Sequence, residues 1–123
     1  ATLVANVLLT NEQTIRDDPA LVTGMARALR RGLEDTLADP DTAFAISVEN
    51  YVTDLQEDQH DVQRQVLLNS MTLWRSDELG VTDPLAWETT QQVLVDAGLM
   101  AAPLDDLSAA YDLRFAREAA ADS

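Results

Sequence analysis

A chain of 123 residues with 46% hydrophobic content can bury one modest core, enough for a single domain or part of a larger one. Its net charge of −14 rests on 22 acidic residues against eight basic ones, all arginine, which excludes phosphate backbones and anionic membrane surfaces as natural partners. No apolar run approaches the roughly 18 residues of a membrane span, and the absence of cysteine excludes disulfides, thiolate metal sites and thiol nucleophiles from this segment.

The chain opens on a β-type run, Ala1-Thr2-Leu3-Val4-Ala5-Asn6-Val7-Leu8-Leu9-Thr10, that predicts a strand over about 3–10. A lone strand leaves its backbone donors and acceptors without a ladder, and only scattered β-type residues recur later. The expected reading is therefore a C-terminal fragment whose missing strand partners lie upstream.

Everything after the strand has helical pattern. Asp18-Pro19, Asp39-Pro40 and Asp83-Pro84 each place a carboxylate at an N-cap and a ring of pre-set φ at the first helical position. From Pro19 to about Ala38, Leu21, Met25, Leu29, Leu33 and Leu37 recur every four positions, predicting a long amphipathic helix over 19–38. A second helix follows over 40–51 after a sharp corner. A third is expected over 58–74, with Val62, Val66, Leu67, Met71 and Trp74 on one face. The fourth, 84–97, carries Trp87, Val93, Leu94 and Ala97 and stops at Gly98, the expected left-handed residue. A short helix or turn over about 105–115 closes the chain, with Ala119 to Ser123 expected to fray. The Asp-Pro steps are unevenly spaced, so no internal repeat is present.

No catalytic motif and no metal-ligand spacing occurs. His60 is the only histidine, in the polar run Gln56-Glu57-Asp58-Gln59-His60-Asp61, and reads as an exposed residue at a helix start. Asp58 and Asp61 complement the helix dipole there, while Asp17-Asp18 and Asp105-Asp106 read as caps, because a calcium loop needs more oxygen ligands at fixed spacing. Of the six aromatics, Trp87 reads as core, and Tyr51 and Tyr111 as structural residues near helix ends. Trp74, at a helix end beside Arg75, is placed to line a pocket for a planar ligand. Asn6, polar within an apolar strand, faces either a cleft or an exposed edge. Asn6 and Trp74 are thus the ligand-binding candidates, on position alone.

The order of these features resembles the NMT1/THI5-like substrate-binding proteins of ABC importers. The likeness runs through Val4-Ala5-Asn6-Val7-Leu8-Leu9-Thr10-Asn11-Glu12, Asp18-Pro19-Ala20-Leu21-Val22, Ala28-Leu29-Arg30-Arg31-Gly32 and Ala38-Asp39-Pro40-Asp41-Thr42-Ala43. It continues through Trp74 and Gly80, Asp83-Pro84-Leu85-Ala86-Trp87, Leu94-Val95-Asp96-Ala97-Gly98-Leu99-Met100, and Pro103-Leu104-Asp105 with Tyr111 and Phe115. The resemblance implies that a mostly α fragment, one strand and four to five helices, forms the last part of a two-lobed α/β periplasmic-binding-protein fold. It also implies an extracytoplasmic protein that needs no cofactor, performs no catalysis, and passes a small-molecule solute to an ABC permease. Within the family, the thiamine-pyrimidine precursor binders are most similar, through Thr10-Asn11-Glu12 and the Asp83-Pro84 to Trp87 element. Sulfonate, nitrate and taurine binders share much of the same tail.

Two alternatives remain open at this stage. One is the family's pyrimidine-precursor synthase, whose cysteine-rich motif this cysteine-free segment lacks. The other is a small acidic helical domain that binds another protein. Against the latter, the strand and the leucine stripe need more covering surface than the helices offer. A fragment folding alone is expected to self-associate through its N-terminal strand.

Overall fold

The computed structural model describes residues 2–122, and among these it contains no strand. Six α-helices follow one another: α1 (Glu12–Asp17), α2 (Pro19–Ala38), α3 (Pro40–Asn50), α4 (His60–Trp74), α5 (Pro84–Asp96) and α6 (Arg114–Ala121). Single 3-10 turns at Glu57–Gln59 and Leu107–Ala110 precede α4 and α6. No described helix is long and apolar enough to cross a membrane.

The expected strand is the main correction. Residues 2–10 have no regular structure, since a strand exists only as one side of a ladder and the described residues offer no second strand. Polar anchoring replaces pairing: the Val4 N–H donates to Thr90 Oγ1 on α5 at 2.9 Å. The same hydroxyl donates to the Ala86 carbonyl at 2.7 Å, so both its capacities are used. Asn11, just past the expected strand, caps α1, its Oδ1 accepting from the Thr14 N–H at 2.8 Å. Ala1, the first residue of the strand run, lies outside the described residues.

Three helices begin at the prolines of the Asp-Pro steps. Asp18 Oδ1 accepts from the Leu21 N–H at 3.1 Å, Asp39 Oδ1 from Thr42 N–H at 3.0 Å, and Asp83 Oδ1 from Leu85 N–H at 2.9 Å. Each carboxylate thus satisfies one of the donors a helix start leaves unpaired, and the proline removes another. At the far end of α5, Gly98 takes φ 72°, and the Leu94 carbonyl accepts from Leu99 and Met100 N–H at 2.9 and 3.1 Å. That reversal needs a residue without Cβ.

The tail also departs from expectation. In place of one short helix over 105–115, an Asp106-capped turn at Leu107–Ala110 is followed by a separate helix, α6. The break comes at Asp112, which accepts from the Arg114 N–H at 3.0 Å and grips its guanidinium through both oxygens at 2.6–3.1 Å. Residues 119–121 are helical rather than frayed, and Ala119 is only 2% exposed. Two polar links hold α6 to α2, Thr23 Oγ1 donating to Glu118 Oε2 at 3.2 Å and Arg27 pairing with Asp122. Ser123 lies outside the described residues.

The chain divides into two compact units, one made of the segment up to Arg27 with that from Gly80 onward, the other of Ala28–Leu79. In the first, Val22, Thr23, Ala86 and Ala119 are buried. Trp87 stacks on Tyr111 with centroids 4.7 Å apart and planes at 16°, and its indole N–H donates to Thr82 Oγ1 at 2.8 Å. In the second, Met71 is buried. There Arg30 donates to the Leu79 carbonyl at 2.8 Å and pairs with Glu34, while Arg64 on α4 donates to Asp41 on α3 at 2.6 Å. Leu9, Leu73, Tyr51 and Leu99 are each at least three-quarters exposed.

Two outcomes follow for stability. Hydrogen bonds from Thr42, the hydroxyl first and the backbone N–H second, hold the Asp39 carboxyl below its ordinary value of 3.8. Its contribution is therefore fully present above that value and is lost as pH falls through the lower folded value. Thr42→Val should lower stability at neutral pH and shrink the loss seen below about pH 4, read by urea unfolding at both pH values. An acid limb of unchanged depth would show that Thr42 does not hold the carboxyl. Tyr111→Ala should remove the near-ultraviolet dichroism of the stacked pair and cost about 1 kcal/mol beyond lost burial. An unaltered near-ultraviolet spectrum would contradict the stack.

Candidate functional site

In the second unit, α3 and α4 flank an open concavity of about 440 Å³, within the size range of small-molecule sites. Its walls are Phe44 and Val48 from α3, Val66, Leu67 and Trp74 from α4, and Val52 and Leu55 from the connecting turn. The helical period places these side chains there. Phe44 and Val48 are one turn apart on α3, and Val66, Leu67, Ser70 and Trp74 recur at three- and four-residue steps along α4.

The polar groups in the lining are Thr36, Ser47, Gln63 and Ser70. Three hydroxyls already donate to the carbonyl one turn back: Thr36 to Gly32 at 2.7 Å, Ser47 to Ala43 at 2.9 Å and Ser70 to Val66 at 2.9 Å. Each keeps lone pairs as acceptors, and the Gln63 amide carries both functions. No aspartate, glutamate, arginine or histidine is among the lining residues. Such a surface suits an uncharged group bearing N–H or O–H donors.

His60 departs from its expected place as an exposed residue. It is half-buried, its ring edge-on to Phe44 with centroids 5.9 Å apart and planes at 80°. Its Nε2 is buried without a partner. The histidine thus supports the phenyl wall from behind the concavity.

The two sequence candidates fall in different compact units. Trp74 is half-buried in the concavity wall, at the C-terminal end of α4. Asn6 is exposed on the irregular segment two residues after the Val4 anchor. Sequence reading did not single out Phe44, Val48 or Gln63. The signal available was the apolar period of α3 combined with the shortness of the turn joining it to α4, which makes neighbouring antiparallel helices the default. A second depression, in the first unit, is lined by Pro19, Ala20, Thr23, Arg27 and Glu118, where Glu118 accepts from Thr23 and Arg27 pairs with Asp122. Among the described residues no group of acidic or histidine side chains could hold a metal ion.

Comparison with known proteins bears out the resemblance read from the motifs. Residues 1–43 match the family described as NMT1/THI5 like. Over 108 residues the chain is 39% identical to the riboflavin-binding protein RibY of Chloroflexus aurantiacus, a span taking in 84% of this chain and 30% of that protein. The chain therefore spans about a third of the length of the curated relative it matches. No solved structure matches it.

A measurement tests the concavity directly. In a Trp87→Phe background, emission from Trp74 should be quenched by an uncharged planar aromatic solute more strongly than by the same ring bearing a sulfonate. Phe44→Ala should remove the difference. Equal quenching by both solutes would show that the surface does not discriminate against charge.

Proposed function

We propose that the chain is the C-terminal part of a two-lobed α/β solute-binding protein that captures a small molecule outside the membrane and delivers it to an ABC permease. The observation that carries this is the 39% identity to a riboflavin-binding protein over most of the chain, supported by the family match at the N-terminal end. On this reading the irregular segment around Val4–Leu9 becomes a strand once upstream sequence supplies its neighbours. Protein of this kind acts by closing around its ligand and has no chemistry of its own.

The solute is a flat nitrogen heterocycle, riboflavin first and a thiamine-type pyrimidine second. What supports a heterocycle over sulfonate, nitrate or taurine is the absence of any arginine from the α3–α4 concavity, since a desolvated anion needs a paired cation. Acceptor lone pairs on Thr36, Ser47 and Ser70 match ring N–H groups. Trp74 and Phe44 are the wall this chain contributes.

The test is riboflavin titration, followed by loss of flavin fluorescence, on the chain extended by its upstream coding sequence. The extended protein should bind. The 123-residue chain should bind at least roughly tenfold more weakly, because only one wall is present. Trp74→Ala in the extended protein should weaken binding by about tenfold, the worth of one aromatic stack. An extended protein that leaves both riboflavin and the pyrimidine unbound would favour the small acidic interaction domain instead.

A further inference from the structure

The lining of the α3–α4 concavity divides its hydrogen-bonding capacity unevenly. Thr36, Ser47 and Ser70 have each given their hydroxyl proton to a carbonyl one turn back, so toward a ligand they only accept. Two lining side chains keep an N–H available, since neither the Gln63 amide nor the Trp74 indole makes a hydrogen bond among the described residues. They differ in what they can read. The indole only donates, whereas a primary amide carries a donor and an acceptor side by side in one plane. Gln63 precedes Val66, Leu67, Ser70 and Trp74 by three, four, seven and eleven residues, the spacing of one helix face, which brings this polar residue of the first turn of α4 into the lining. Its side chain is exposed, so water holds the amide until a ligand replaces it.

We propose that Gln63 sets the specificity of the concavity by pairing its amide with a cyclic amide edge of the solute, a ring N–H beside a carbonyl. The inference rests on riboflavin being the solute. Amide against amide makes two parallel hydrogen bonds, Nε2–H to the ring carbonyl and ring N–H to Oε1. The three hydroxyls are left for the solute's remaining donors. A ring that lacks the N–H covers Oε1 without pairing it, and leaving a desolvated polar group unpaired costs more than its hydrogen bond contributes. Discrimination arises from that asymmetry. The flavin ring carries such an edge, an imide N–H between two carbonyls. A methyl group on that nitrogen deletes the donor and leaves the charge and the stacking face of the ring unchanged.

The test uses the chain extended by its upstream coding sequence, with riboflavin and 3-methylriboflavin as probes and flavin fluorescence as the readout. The unmutated protein should bind riboflavin about tenfold or more tightly than the methylated ring. Gln63→Leu, at an exposed position where folding is little affected, should weaken riboflavin by about tenfold and bring the two flavins within about twofold of each other. Gln65→Leu, on the same helix but outside the lining, should keep the preference. Trp74→Ala should weaken both flavins and keep their ratio, because stacking reads the face of the ring and not its edge. A Gln63→Leu protein that retains the preference, or an unmutated protein that has none, would overturn the role of Gln63 while leaving riboflavin capture in place. An extended protein that binds neither flavin would overturn the riboflavin reading and this inference with it.

Discussion

Removal of apolar surface from water is the main favourable term in folding, and in this chain it is sparse. Val22, Met71, Ala86 and Ala119 are the buried hydrophobic residues among those described, and no side chain is fully enclosed. Three of the five residues in the long apolar stripe of α2, Leu21, Met25 and Leu29, remain about half exposed. Directed polar contacts consequently take a larger share of specifying the structure. Thr90 Oγ1 fixes the opening segment to α5, Glu118 and Asp122 tie α6 to α2, and Arg30 fastens the end of its unit through the Leu79 carbonyl. Each such bond contributes on the order of 1 kcal/mol, too little to replace a core but enough to choose among arrangements that bury similar area.

What could be read from sequence was whatever the chain decides locally. A carboxylate followed by proline dictates a helix start within three residues, and Pro19, Pro40 and Pro84 all open helices. Gly98 likewise closes α5 because its left-handed φ is cheap only without Cβ. The strand over 3–10 failed for the converse reason. Its β-type composition states a preference, but a ladder is a property of two segments, and only one is present here. Asn11, one residue past the expected strand, caps α1 with its own side chain, a local bond that needs no partner segment.

Trp74 stood out in the sequence as a tryptophan at a helix end in a chain with six aromatics, and it falls in the wall of the concavity. Its partners across the concavity were not found, since Phe44 and Val48 are ordinary apolar positions until α3 and α4 are brought side by side. His60 was misplaced because a polar neighbourhood in sequence suggested water, whereas the residue begins a helix and the period turns its ring inward onto Phe44. Burial depends on which face of a helix a residue occupies, and composition of the adjacent residues carries little information about that.

Charge separates the α3–α4 concavity from the rest of the molecule. The 22 acidic residues hold much of the exterior in a hydrated, mutually repelling state, whereas no charged side chain is among the residues that line the concavity. Its Thr36, Ser47 and Ser70 hydroxyls have given their protons to backbone carbonyls one turn back, so what they present is acceptor lone pairs. Such a surface disfavours a desolvated anion, which would meet oxygen lone pairs and no cation.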